Sequence, residues 1–135
     1  MSSFSKGRKK ETEICNHLRA EGWTILFKSH LIRKGSLCYQ YDFATIFDIV
    51  AVKTNVWRFI SSKHNTNTGG PKHYAELQKF NQDHCQFWMS VERWVYCKPG
   101  YYGRGKKKIY RKKGFFNITY IELSEELTTK KELEI

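Results

Sequence analysis

Ile14, Cys15 and Leu18 recur at spacings of three and four within Lys6 to Glu21, the period of a helix with one apolar face, and Gly22 follows as a stop. Glu11 precedes Ile14 by three residues and Leu18 by seven, which sets its carboxylate on the same buried face. Trp23 to Lys28 (WTILFK) predicts a first strand. After a polar stretch from His30 to Tyr41, residues 43–52 (FATIFDIVAV) are rich in β-formers and predict a second, interrupted by Asp48. Val56 to Lys63 (VWRFISSK) predicts a third, joined to the second through the short turn Lys53-Thr54-Asn55 as an antiparallel hairpin. Period two places Trp57, Phe59, Ser61 and Lys63 on one face of it. Residues 65–71 (NTNTGGP) read as a loop, and Lys72 to His84 as a second helix with Tyr74, Leu77, Phe80 and Asn81 at helical spacing. Gln86 to Cys97 is then a long strand and Phe115 to Leu123 its partner. The order is αβββαββ in one domain spanning 1–135, with no internal repeat. Residues 124–135 form an acidic tail or a frayed helix.

Composition adds a partner to this outline. The 135 residues are 40% hydrophobic, enough for one core, and carry 24 Lys and Arg against 13 Asp and Glu, a formal charge of +11. Such an excess calls for an anionic partner, nucleic acid first and an anionic membrane surface second. No apolar run approaches the roughly 18–20 residues of a membrane span, and Met1 to Lys10 lacks a secretory apolar stretch, so a soluble intracellular protein is expected, with no membrane partner. Cys15, Cys38, Cys85 and Cys97 are scattered without metal-site or disulfide spacing.

The positive charge lies in the body of the chain, where residues 1–121 hold 22 basic and 8 acidic side chains, against 2 and 5 in 122–135. Its densest part is RGKKKIYRKK, Arg104 to Lys113, within a basic hairpin loop over 98–114 punctuated by Pro99, Gly100, Gly103 and Gly105. No acid occurs between Arg93 and Ile121. Phosphate contact is therefore expected from Arg104, Lys106, Lys107, Lys108 and Arg111, with Arg8, Lys9, Lys10 and Lys72 as further nucleic-acid contacts. His64 and His73 are expected to face phosphate or solvent rather than to act in catalysis.

A carboxylate inside an apolar strand needs a partner, because burying a lone charge costs several kcal/mol. Asp48 in IFDIVAV is such a group, and the hairpin brings it toward Lys63 at the end of FISSK. A structural Asp–Lys pair is one reading. Glu76, on the helix packing back after the Gly-Gly-Pro loop, and Glu11, from the first helix, turn the same four residues into a second: a divalent-cation site beside a phosphate-binding surface, suited to phosphodiester hydrolysis. There Mg²⁺, or Mn²⁺, would be bound by Asp48, Glu76 and the carbonyl of Ser62, with Lys63 orienting the attacking water or stabilising the transition-state charge.

These residues resemble the PD-(D/E)XK nuclease superfamily, most closely the archaeal-type Holliday junction resolvases. The resemblance is carried in order by Gly7 to Glu11, Gly22-Trp23, Phe47-Asp48-Ile49-Val50-Ala51 and Ile60-Ser61-Ser62-Lys63, and it covers roughly residues 6–97. It implies a restriction-endonuclease-like α/β fold, a central mixed sheet flanked by helices, and a homodimeric metal-dependent endonuclease cutting branched DNA. Phe87, Trp88 and Trp94 are candidates for the dimer face or for ordinary core, with core the favoured reading for most of them. Carried over residue by residue, it gives Asp48 and Glu76 to the metal, Lys63 to catalysis and Glu11 to an auxiliary role, with Ser29, matching a serine near the resolvase active site, as a further nucleic-acid contact. The sequence departs from the motif at Ser61, where the second acid belongs. Some tetrameric restriction endonucleases of the superfamily use an S-x-K strand with the acid moved to the next helix, and Ser61-Ser62-Lys63 followed by Glu76 is similar to that. The alternatives are a restriction- or repair-type nuclease on linear DNA, and a catalytically inactive DNA-binding protein with the same fold.

Overall fold

The computed structural model describes residues 3–64, 69–121 and 129–135. Helix α1 (Ser3–Ala20) is followed by strands β1 (Thr24–Lys28), β2 (His30–Lys34), β3 (Leu37–Tyr41), β4 (Ile49–Lys53) and β5 (Val56–His64). Helix α2 (Gly70–His84) then leads to β6 (Met89–Cys97), β7 (Gly100–Tyr102), a short 3-10 turn (Gly105–Lys107), β8 (Ile109–Arg111), β9 (Phe115–Ile121) and β10 (Thr129–Leu133). Six strands form one sheet in the order β1-β4-β5-β6-β9-β10, while β2-β3 and β7-β8 are separate two-stranded hairpins. Only β5 and β6 pair in parallel, across the α2 connection, so the sheet is mixed.

The α/β class and the helix-flanked mixed sheet expected from the sequence are present; the αβββαββ order is not. Five strands were missing from it, β2, β3, β7, β8 and β10. The polar stretch 30–41 folds as β2–β3 around a two-residue turn, Gly35-Ser36, with Lys34 opposite Leu37. The basic loop is itself a hairpin, β7–β8. The last residues pair as β10 along β9, so the acidic tail is a strand where it is described, and 124–128 lie outside the described residues, as do 65–68 of the expected loop and 122–123 of the expected strand.

Alternation along the strands divides the core between the two helices. Ile49, Ala51 and Ile60 pack with Ile14, Cys15 and Leu18 of α1, together with Trp94, Phe116 and Ile118. Val50, Phe59 and Val91 turn the other way, to Leu77 of α2 and to Phe47. The β4–β5 hairpin is set by Thr54 and Asn55, both left-handed (φ 48 and 65), which gives a two-residue turn whose twist matches its strands. Trp94 is thus a core residue rather than part of an exposed dimer face, while Phe87 is 94% exposed just before β6. Among the described residues no helix is long and apolar enough to cross a membrane.

Candidate active site

Strand β5 runs on past the start of β4. Ile49 pairs with Ile60, and beyond that point β5 keeps only β6 as a neighbour, from Ser61 opposite Arg93 to His64 opposite Tyr96. The N–H of Ser62 would otherwise be an unpaired ladder donor. Asp48 takes it: Oδ2 accepts from Ser62 N at 2.7 Å, and the Asp48 main chain is fixed by its own N–H to Ile60 O (2.9 Å) and by Ser29 N–H to its carbonyl (2.6 Å). The carboxylate is therefore held at the fork of the sheet by backbone groups, and only 7% of the residue is exposed.

Glu11 comes to the same fork from α1. Ile14 and Leu18 dock that helix on β4 and β5, and Glu11, one turn earlier on the same face, is carried over Asp48 and left 4% exposed. Burial first, then the facing Asp48 carboxylate, pushes the Glu11 carboxyl up to about 8. Burial also raises Asp48, to about 6, against the Ser62 N–H and Lys63, which favour its charged form. As a carboxylate, Glu11 leaves its buried Oε2 without a hydrogen-bond partner. Protonated, it donates to Asp48. The pair thus holds one proton between two oxygens that a cation would otherwise share.

Gln40 and Asp42, which the sequence did not single out, complete the cluster, both delivered by the β2–β3 hairpin. Gln40 directs its amide nitrogen at Ser29 Oγ (2.5 Å), Glu11 Oε1 (3.3 Å), Asp42 Oδ1 (3.4 Å) and Asp48 Oδ1 (3.4 Å). Ser29, 3% exposed, donates its hydroxyl to Asp42 Oδ1 at 2.7 Å. A usable signal was present: Gly35-Ser36 between two alternating runs is a hairpin pattern, and it would have brought residues 40–42 back to Ser29.

Lys63 stands half-buried with Phe59 and Ser61 on the α2 side of β5, close enough to act on Asp48 electrostatically, without an ion pair to it. Ser61 is fully buried and its Oγ lies 3.0 Å from His73 Nε2, so the motif's second-acid position holds a hydroxyl already committed to α2. His73 is accordingly not a phosphate- or solvent-facing residue. Burial, with Lys63 and Arg93 nearby, lowers its pKa to about 4 and keeps the ring neutral. Glu76 is not brought to the cluster. It is exposed on α2, where its charge acts on His73, and Asp42 is the third carboxylate of the cluster, beside Asp48 and Glu11.

The expected Mg²⁺ finds hard oxygen donors here and the unpartnered Glu11 Oε2, which suits its chemistry. As the side chains stand, however, no three His, Cys, Asp or Glu among the described residues are grouped so as to hold a metal ion. The Gln40 amide lies in their midst.

The expected nucleic-acid contacts fall into two groups. Arg8, Lys9, Lys72, Arg104, Lys106, Lys107 and Lys108 are exposed, the last four at the turn of the β7–β8 arm beside the stacked pair Tyr101–Tyr110, 4.9 Å between ring centres. Lys10 and Arg111 are engaged elsewhere. Lys10 pairs with Glu13 at 3.1 Å and lies 3.7 Å from the centre of the Tyr96 ring. Arg111 packs on Phe115 and pairs with Glu132 (2.9 Å) and Glu134 (3.3 Å), which ties the arm to the β10 edge and removes that charge from the free basic set.

No family model matches this chain, and no curated protein or solved structure matches it either.

Proposed function

We propose that this chain is a metal-dependent endodeoxyribonuclease with a restriction-endonuclease-like fold, acting inside the cell as a homodimer on branched DNA in the manner of a Holliday junction resolvase. The observation that supports it best is the buried Glu11–Asp48 pair at the sheet fork, with Lys63 on the strand that continues past it, in a chain of +11. A structural salt bridge would place Lys63 on Asp48. Instead two carboxyls are packed against one another at a cost to the fold, which is the arrangement of a functional site rather than a stabilising one.

Asp48 and Glu11, with the Ser62 carbonyl as a further donor, would hold a divalent cation, which would polarise the phosphate and acidify a bound water. Lys63, without an ion pair among the described residues, is the group that stabilises charge on the phosphate or orients the attacking water. The Ser62 N–H holds the Asp48 carboxylate at the fork of the sheet. The exposed Arg104, Lys106, Lys107 and Lys108 hold the DNA backbone.

One observation favours a second reading, a DNA-binding protein without activity: Ser61 is bound to His73, and Glu76, the replacement acid, is exposed and apart. One experiment separates the two. Purified protein with Mg²⁺ or Mn²⁺ is incubated with labelled four-way, flap and linear duplex DNA. Symmetric paired cuts in the four-way junction, lost in Asp48→Asn, are expected. Binding without cleavage of any substrate in either metal would establish the inactive reading, and cutting confined to linear duplex would establish a restriction- or repair-type enzyme.

A further inference from the structure

The Gln40 amide group has two protons, yet its nitrogen faces four oxygens from four residues: Ser29 Oγ, Glu11 Oε1, Asp42 Oδ1 and Asp48 Oδ1, between 2.5 and 3.4 Å away. Two of those oxygens cannot receive a hydrogen from it. Three belong to carboxyl groups, two of them on buried residues, and a fourth carboxyl oxygen, Glu11 Oε2, is buried and has no hydrogen-bond partner when Glu11 is ionised. A neutral amide is a poor centre for such a set. A divalent cation, which takes six or more oxygen ligands without regard to proton count, is a good one.

We propose that the Gln40 amide nitrogen occupies the position of a divalent cation, in a pocket of oxygens from Glu11, Ser29, Asp42 and Asp48, and that the β2–β3 hairpin is therefore a plug which the cation displaces. This rests on the reading of the fork as a metal-dependent site, and it adds to that reading Asp42 and Ser29 as cation-facing groups and Gln40 as the residue that closes the site. The hairpin is suited to the part. It forms its own two-stranded sheet, outside the main one, so it can shift without breaking a ladder of the six-stranded sheet. The departure of the amide is what lets the carboxylates, not grouped for a metal as they stand, converge on one ion.

The test measures cation binding without DNA. Mn²⁺ affinity is determined by calorimetry for the wild type, Gln40→Ala, Gln40→Glu and Asp42→Asn. Gln40→Ala should bind about tenfold more tightly, since no charge-assisted hydrogen bond is given up on binding. Gln40→Glu should also bind more tightly and should gain more thermal stability from Mn²⁺ than the wild type does. Asp42→Asn should bind at least tenfold more weakly. In ¹³C,¹⁵N-labelled wild-type protein, the Gln40 side-chain amide signals, assigned by triple-resonance correlation to the Gln40 backbone, should move on saturation with Mg²⁺. Equal or weaker Mn²⁺ binding by a folded Gln40→Ala would overturn the proposal. So would amide signals that stay fixed at saturating Mg²⁺, a readout that does not depend on any variant folding, or an absence of Mn²⁺ binding in wild type and variant alike. Tighter binding by Gln40→Ala in a protein that cuts no DNA would leave this inference standing and remove the nuclease reading; cleavage with an unmoved Gln40 would do the reverse.

Discussion

Replacing Glu11 by Gln should stabilise the folded chain, and increasingly so as the pH rises. The folded pair binds its proton more tightly than the unfolded chain does, because burial and the neighbouring Asp48 lift Glu11 from 4.5 to about 8 while Asp48 goes from 3.8 to about 6. For carboxyls shifted upward, the fold is favoured at low pH, and stability is lost progressively as the pH climbs from about 4 toward 8. Each pH unit of displacement corresponds to about 1.4 kcal/mol, so the Glu11 shift alone sets an upper bound of about 4–5 kcal/mol on the cost of ionising it. Relaxation around two coupled groups lowers the realised figure, and about 2–3 kcal/mol between pH 5 and pH 8.5 is the expected range. Gln keeps the shape and cannot ionise. Unfolding in urea with a chelator present, followed through the buried Trp94, should therefore give nearly equal stabilities for wild type and Glu11→Gln at pH 5 and a gap of about 2–3 kcal/mol in favour of the variant at pH 8.5. Parallel stability curves for the two proteins from pH 5 to 8.5 would refute the shared proton and with it the electrostatic description of the fork.

Lys63→Ala should abolish Mg²⁺-dependent cleavage and leave DNA affinity within about threefold, checked by junction cutting beside equilibrium binding, since one cation among many exposed ones contributes little to backbone contact. Arg58→Ala should cost about 3–5 kcal/mol in urea unfolding, because Glu92 is fully buried, receives Arg58 through two nitrogens, and would be left as an uncompensated charge. Replacing Lys106, Lys107 and Lys108 together with Ala should flatten the slope of log K against log[salt] for DNA by up to about 2–3 with little change in stability. Arg111→Ala should leave that slope unchanged, its charge being spent on Glu132 and Glu134.

What was legible in the sequence is what local physics decides. Thr54-Asn55 between two apolar runs specifies a tight hairpin on its own, and the 3.6 period of Ile14 and Leu18 specifies the face of α1 and hence the direction of Glu11. Strand β10 was illegible for the opposite reason. TKKEL has no apolar alternation and becomes a strand because the β9 edge offers a ladder and Arg111 offers Glu132 a partner. In β2–β3 the charges of Arg33 and Lys34 masked a pattern that Gly35-Ser36 punctuates. The described side chains of those strands are exposed or half-buried and none is buried, so burial leaves little imprint on their composition.

The site divides along the same line. Asp48 and Lys63 sit on strands whose register follows from one hairpin, and short-range reasoning places them near each other. Glu76 depended on which face α2 turns inward, and that face is set by His73, Leu77 and Asn81, at spacings of four, with His73 held by Ser61. Glu76, one residue before Leu77, is rotated about 100° from the line they define and is left to solvent. Ser61 thus serves to fix α2, and that contact leaves Glu76 turned outward. The carboxylates of this chain reach the fork from α1 and from the end of the β2–β3 hairpin instead. An acid supplied by a hairpin outside the main sheet can be withdrawn or presented as a unit, and in this chain the residue two positions before that acid, Gln40, is the one that holds the cluster closed.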